Sequence, residues 1–128
     1  MPQKEIIAPE ALGRGNPSLS PATRFGNMVY VSGQTGRNPA TGEVGADVRE
    51  QTRNVLERIK ICLEEAGTSL DNVLTATCWL KDAGDFAAFN EVYNEYFTQD
   101  KPARATVQST LMGADLVVEI MVTACIPD

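Results

Sequence analysis

The sequence contains no histidine. That absence excludes the Ser-His-Asp triad, the Cys-His dyad and every His-ligated metal centre. It also removes the histidine pair that serves as acid and base in many nucleases. Cysteine is scarce: Cys62, Cys78 and Cys125 make an odd number with no Cys-x-x-Cys spacing, which argues against a disulfide framework or a zinc knuckle. Each falls in an apolar segment, the setting of a buried reduced thiol in a cytosolic protein. No apolar run approaches the ~20 residues that span a bilayer. Residues 1–11 lack the basic stretch and apolar run of a secretory leader. A cytoplasmic protein without a membrane partner is therefore expected. Internal repeats, low-complexity segments and runs of Lys or Arg are missing too.

What is present is a chain of 128 residues with 43% hydrophobic content, enough for the core of one domain over residues 1–128. Eleven Lys+Arg against seventeen Asp+Glu give a net charge of −6. An acidic chain is a poor match to phosphate backbones, whose nonspecific affinity comes from cation contacts, so no nucleic-acid partner is expected. Any chemistry has to come from carboxylates, arginine, serine, tyrosine, cysteine, backbone groups or bound water.

Residues 4–8 form a short strand candidate, and the Pro-, Gly- and Ser-rich residues 9–21 read as irregular. Residues 27–33 are a strand by β-branched and aromatic content. Residues 34–45 hold Gly36, Asn38-Pro39 and Thr41-Gly42 and read as a loop or turn, with room for an extra short strand. The clearest helix spans residues 47–66: Val48, Val55, Leu56, Ile59, Leu63 and Ala66 make one apolar stripe. Asp47 with Glu50 resembles a capping box, and Gly67 stands where a left-handed residue is wanted. Residues 73–80 form a strand with Leu74, Ala76, Cys78 and Leu80 on one side and a mixed face on the other. A second helix, about residues 84–97, carries Phe86, Phe89, Tyr93, Tyr96 and Phe97. Residues 103–108 and 116–126 complete the pattern as strands. The order predicts an α/β (α+β two-layer sandwich) fold: a mixed sheet of about six strands with two helices on one face.

Two charges stand out by position. Glu119 lies within the most apolar strand, where a covered carboxylate needs a partner or a raised pKa. Arg104 opens a short strand after Pro102-Ala103 and offers a fork of donors that keeps its proton. Two readings follow: an Arg–Glu pair that fixes the sheet or a subunit contact, or a site in which Arg104 holds a substrate carboxylate and Glu119 handles water. Strand alternation alone does not decide between them. Ser32-Gly33 is a plain strand-to-turn transition or a place of close ligand approach. Asn90 sits on or beside the second helix's apolar stripe, as an edge residue or as a group at a site mouth.

Several segments carry a family resemblance. Gly26-Asn27-Met28-Val29-Tyr30-Val31-Ser32-Gly33-Gln34 resembles a signature strand of the RidA (YjgF) family of reactive-intermediate deaminases. Asn38 to Val44 resembles the following turn, and Gln51-Thr52-Arg53-Asn54-Val55-Leu56 the first helix. Lys81-Asp82, Asp85-Phe86 and Asn90-Glu91-Val92-Tyr93 are similar to the second helix. Pro102-Ala103-Arg104 with Leu116-Val117-Val118-Glu119-Ile120 is similar to the C-terminal signature. The resemblance covers residues 4–126. It implies a chorismate-mutase-like fold and a homotrimeric barrel with three sites at subunit clefts, so that the mixed face of residues 73–80 meets neighbouring subunits. It also implies hydrolysis of 2-imino acids, such as 2-iminobutanoate and 2-iminopropanoate, to 2-keto acids and ammonia, without a cofactor and without a metal.

Residue by residue, Arg104 matches the family arginine that binds the substrate carboxylate, and Glu119 the carboxylate that positions water. Ser32, Gly33 and Asn90 match pocket residues. Two departures stand out: Leu19 where the family commonly has a pocket tyrosine, and Thr106 where a cysteine is common two residues after the arginine. Both line the expected pocket and imply a shifted preference or a slower enzyme. The alternatives are a non-catalytic small-ligand (keto acid) binding or regulatory trimer, favoured by those departures, and an endoribonuclease or translation inhibitor, disfavoured by the charge and the missing histidine.

Overall fold

The computed structural model describes residues 2–128. Its long helix α1 (Val48–Ala66) starts and stops on local signals. Asp47 accepts a hydrogen bond from the Glu50 N–H, and Glu50 Oε2 accepts one from the Ala46 N–H. At the other end Gly67 adopts φ 97°, and the N–H groups of Gly67 and Thr68 close on Glu64 O and Leu63 O. That is a left-handed stop that a side chain would strain. The buried stripe of α1 includes Val55, Leu56, Ile59 and Leu63.

Six strands form one sheet in the order β1-β2-β3-β6-β4-β5: β1 (Glu5–Ile7), β2 (Ala22–Phe25), β3 (Met28–Thr35), β4 (Val73–Leu80), β5 (Ala103–Gln108) and β6 (Val118–Cys125). All neighbours run antiparallel except β4 and β5, which are parallel. The parallel pair needs a crossover, and α2 (Phe86–Tyr96) supplies it. The core lies on the sheet face that carries Val29, Val31, Ala76, Cys78, Ile120 and Val122, packed against both helices. The opposite face is open and presents Tyr30, Leu74 and Met121 to solvent. The expected six-stranded mixed sheet with two helices is the observed one.

Five details differ from expectation. The extra strand is β2, not a segment of residues 34–45: Gly26, at φ 60°, turns β2 into β3 as a two-residue hairpin. Residues 36–45 form a loop closed by a single bridge between Arg37 and Val44. Strand β3 does not end at Gly33 but continues to Thr35 through an irregularity between Val31 and Gln34. In β4 the register shifts between Val73 and Thr75, so Val73 turns inward and Leu74, placed inside by simple alternation, is 47% exposed. Helix α2 begins at Phe86, after a 3₁₀ turn at Ala83–Asp85, and β6 begins at Val118.

One buried side chain ties the loops together. Gln51 of α1 donates to Gly45 O and Asp115 O and accepts from the Val117 N–H. It uses its amide fully, which is what makes a buried polar group tolerable.

Candidate functional site

Arg104 lies on edge strand β5, in register with Ala76 of β4 and therefore on the helix side of the sheet. Helix α2 brings three rings to it. The guanidinium carbon lies 4.6 Å from the Tyr93 ring centroid, 5.5 Å from Phe89 and 5.7 Å from Phe86. Such stacking holds a cation in place while leaving its N–H fork available. None of the ion pairs among the described residues includes Arg104.

Around Arg104 sits a group of polar atoms with no protein partner. Asn90 Oδ1, Tyr93 OH and Thr106 Oγ1 are buried and make no hydrogen bond among the described residues. The parallel register sets Thr106 beside Cys78. Burial pushes the Tyr93 hydroxyl up to about 12 and the Cys78 thiol up to about 11, with Arg104 pulling each back down in part. Both groups are therefore neutral near pH 7. Asn90, Tyr93, Lys101, Pro102 and Arg104 line a cavity of about 330 Å³. Orphaned buried polar atoms are rare in finished structures, and their clustering marks a place where a ligand or partner completes the bonding.

Glu119 occupies the other face. It pairs across the sheet with Trp79 and Thr35, two strands away from Arg104 and with the opposite orientation. An Arg104–Glu119 pair within one chain, the form of the ion-pair reading that fixes the sheet, is therefore excluded: Arg104 points to the helices and Glu119 to the open face. Glu119 is half-buried, and burial pushes its carboxyl above the usual carboxylate range.

The irregularity in β3 delivers Gly33 to this carboxylate. A Cβ on Gly33 would lie 2.1 Å from Glu119 Oε2, so any side chain at this position displaces the carboxylate. Ser32 is spent on structure: its hydroxyl donates to Ser20 O at 2.6 Å, and its N–H bonds to Pro21 O. Those two bonds hold the segment that carries Leu19, which is 51% exposed. Leu19, Gly33, Gln34, Arg58, Met112 and Glu119 are among the residues lining a cavity of about 580 Å³.

The seven residues singled out from the sequence thus separate into two groups. Arg104 and Asn90 belong to the helix-side cavity, with Thr106 two residues beyond Arg104 on β5, lining a neighbouring hollow with Phe86 and Leu80. Glu119, Gly33 and Leu19 belong to the open-face cavity, with Ser32 bracing it. Sequence reasoning assigned Tyr93 and Cys78 to the core and passed over their place beside Arg104. The available signal was Tyr93 one turn after Asn90 on the same helix face.

Comparison with known proteins places the chain in a family. Residues 8–126 match the profile of the family described as endoribonuclease L-PSP. The chain belongs to that family, which is also called the YjgF, RidA or RutC family. A RutC family protein of Pyrococcus abyssi is 45% identical over 118 residues, spanning 91% of this chain and 93% of its own. The 3-aminoacrylate deaminase RutC of Acinetobacter baylyi is 44% identical over 119 residues, 91% of this chain and 94% of its own. The 2-iminobutanoate/2-iminopropanoate deaminase of Escherichia coli is 39% identical over 99 residues, 75% and 77% of the two chains. The crystal structure of the YjgF gene product of E. coli superposes with a TM-score of 0.89 at 35% identity, covering 94% of this chain and 98% of that one. The fold is that of the RidA/YjgF proteins, and some relatives in the family carry deaminase names.

Proposed function

We propose that the protein hydrolyses reactive 2-imino acids and their enamine tautomers to 2-keto acids and ammonia, at sites completed between copies of the chain. The carrying observation is the division of the site. Arg104 and Glu119, neither of them ion-paired among the described residues, lie on opposite faces of one sheet, each in a separate cavity. A trimer that sets the open face of one chain against the β5 edge of the next joins the two halves. The exposed Tyr30, Leu74 and Met121 on the open face and Val107 on β5 give that contact apolar surface to bury.

In the joined site Arg104 grips the substrate carboxylate through two parallel N–H···O bonds. The carbon of a protonated imine is already electrophilic, so orientation and one water contact suffice. Glu119 accepts a proton from water as its oxygen adds to the C=N carbon. It then returns the proton to nitrogen; as the C–N bond breaks and C=O forms, the remaining hydroxyl proton passes through Glu119 to the departing ammonia, and the keto acid and ammonium leave. No histidine, metal or redox cofactor is required by this balance.

The test supplies 2-iminopropanoate or 2-iminobutanoate generated in place and follows ammonia release against buffer. Acceleration is expected. Arg104→Ala and Glu119→Gln are each expected to be inactive, and refolding their mixture is expected to restore activity. In a three-fold ring, mixed trimers carry one intact site each, so an equal mixture recovers about a quarter of wild-type activity. No acceleration for any small imino acid refutes the deaminase reading, and no recovery on mixing refutes the shared site. Leu19 on the cavity wall supports a second reading, saturable keto-acid binding without turnover.

A further inference from the structure

The sequence holds seven arginines, and their partners sort them. Arg24 pairs with Glu5, Arg49 with Glu91 and Arg53 with Glu95. Arg104 stacks on the rings of α2. The other three, Arg14, Arg37 and Arg58, all line the cavity that contains Glu119. Among the described residues no carboxylate, Glu119 included, forms an ion pair with these three.

Arg58 is the most informative of the three. It is half-buried on α1, and its Nε donates to Gln34 Oε1 at 3.0 Å. Gln34 is itself only 6% exposed and is held by donation to Ser32 O at 3.2 Å. The guanidinium is therefore oriented from below by one buried amide. Its two terminal nitrogens make no hydrogen bond to the described residues. Burial disfavours the cation most, Cys62 offsets this in part, and the like charge of Arg37 adds to it; no carboxylate contributes. A desolvated cation without a counter-ion is unfavourable unless an anion visits it.

We propose that Arg58, oriented by Gln34 and assisted by Arg37, is a second anion subsite that receives a carboxylate on the substrate's side chain. The protein would then select 2-imino acids with two carboxylates over those with one. This rests on the deaminase reading: Arg104 of a neighbouring copy takes the α-carboxylate, Glu119 handles water, and Arg58 fixes the far end. The cavity of about 580 Å³ has space for the longer ligand. An apolar wall such as Leu19 gives a charged side chain nothing, so discrimination falls to the arginine.

The experiment compares kcat/KM for the imine of 2-oxoglutarate with that for 2-iminobutanoate, both generated in place, in wild type, Arg58→Met and Arg53→Met. The expected result is a wild-type ratio favouring the diacid. Arg58→Met is expected to lower that ratio by about ten- to hundredfold, the range for loss of charge-assisted bonds. Arg53→Met, on the same helix but ion-paired outside the cavity, is expected to leave the ratio unchanged. Equal ratios in wild type and Arg58→Met overturn the proposal. Calorimetric titration with 2-oxoglutarate and with 2-oxobutanoate decides the subsite independently of turnover. Tighter diacid binding that is lost in Arg58→Met supports it, and indifference to the second carboxylate refutes it. If no imine is hydrolysed, the deaminase reading fails, while the titration still decides whether Arg58 binds the second carboxylate.

Discussion

Replacing Gly33 with alanine sets a methyl group 2.1 Å from Glu119 Oε2, 3.1 Å from its Cδ and 3.3 Å from its Cγ. Ordinary contact begins near 3.4 Å, so the carboxylate oxygen has to retreat by roughly 1.3 Å. Gly33 has no positive φ, so the backbone accepts alanine without strain. Reduced freedom of the unfolded chain even favours it by about 0.4–1 kcal/mol. The clash falls on the far end of a side chain that faces a cavity, and rotation of Glu119 relieves it. The net stability change is therefore expected within about 1 kcal/mol, a few degrees in Tm for a domain of this size. Activity responds differently, because misplacing a reacting group by about 1 Å costs on the order of 10²-fold. Gly36→Ala is the contrast. Its methyl meets Gln51 Cβ and Cγ at 2.4 Å, at the root of a buried side chain that cannot swing away. Overpacking of that kind costs ~1–3 kcal/mol. Thermal melts and ammonia release measured on both variants separate the effects. Gly33→Ala should be inactive and stable, and Gly36→Ala should be destabilised. A Gly33→Ala protein with wild-type activity, or one that loses activity only by unfolding, refutes the assignment of Glu119.

Arg104→Lys keeps the charge but loses the planar fork and the ring stack, so kcat/KM should fall at least tenfold with Tm nearly unchanged; an unaltered rate would deny the carboxylate grip. Because burial raises the Glu119 pKa, the acid limb of the pH–rate profile should lie above the ordinary carboxylate range of about 4.3. The folded state then binds this proton more tightly than the unfolded state. Glu119→Gln should accordingly be the more stable protein above the raised pKa, with the difference vanishing as pH falls below the ordinary value, as melts across pH would show. The thiols of Cys62 and Cys78, buried and each pushed up to about 11, should resist alkylation at pH 8 until denaturant is added; rapid labelling of the native protein would contradict their burial. Gln51→Ala removes three hydrogen bonds at once and should cost about 3 kcal/mol, read from denaturant midpoints.

Local signals were readable where the chain speaks to itself. Asp47, Glu50 and Gly67 marked both ends of α1, and the alternation through Val118, Ile120 and Val122 marked the inner face of β6. Glu119 and Arg104 were conspicuous because each breaks the apolar character around it. Features set by pairing were harder. Gly26-Asn27 is a hairpin turn, yet β2 is short and its Ala22-Thr23-Arg24 lacks apolar alternation. The extra residue at Val73–Leu74 is visible only once β6 lies beside it. That Arg104 and Glu119 face opposite ways follows from strand order and from the crossover through α2, which no local spacing encodes. Tyr93 looked like core because it is core: its ring packs between Phe89 and Phe97, and only its hydroxyl end belongs to the site.

The hydrogen bonds of Gln51 have a dynamic consequence. One side chain on a stable helix holds Gly45 at the end of the loop after β3 and Asp115 and Val117 at the end of the loop before β6. Both loops contribute to the rim of the Glu119 cavity, through Gly42 on one side and Met112 and Leu116 on the other. Neither rim can lift on its own without stranding a buried amide. Opening is thus a joint event tied to α1, and the Val117 amide proton should exchange with solvent as slowly as that helix unzips. The two rims of the cavity are therefore expected to move together with α1 rather than one at a time.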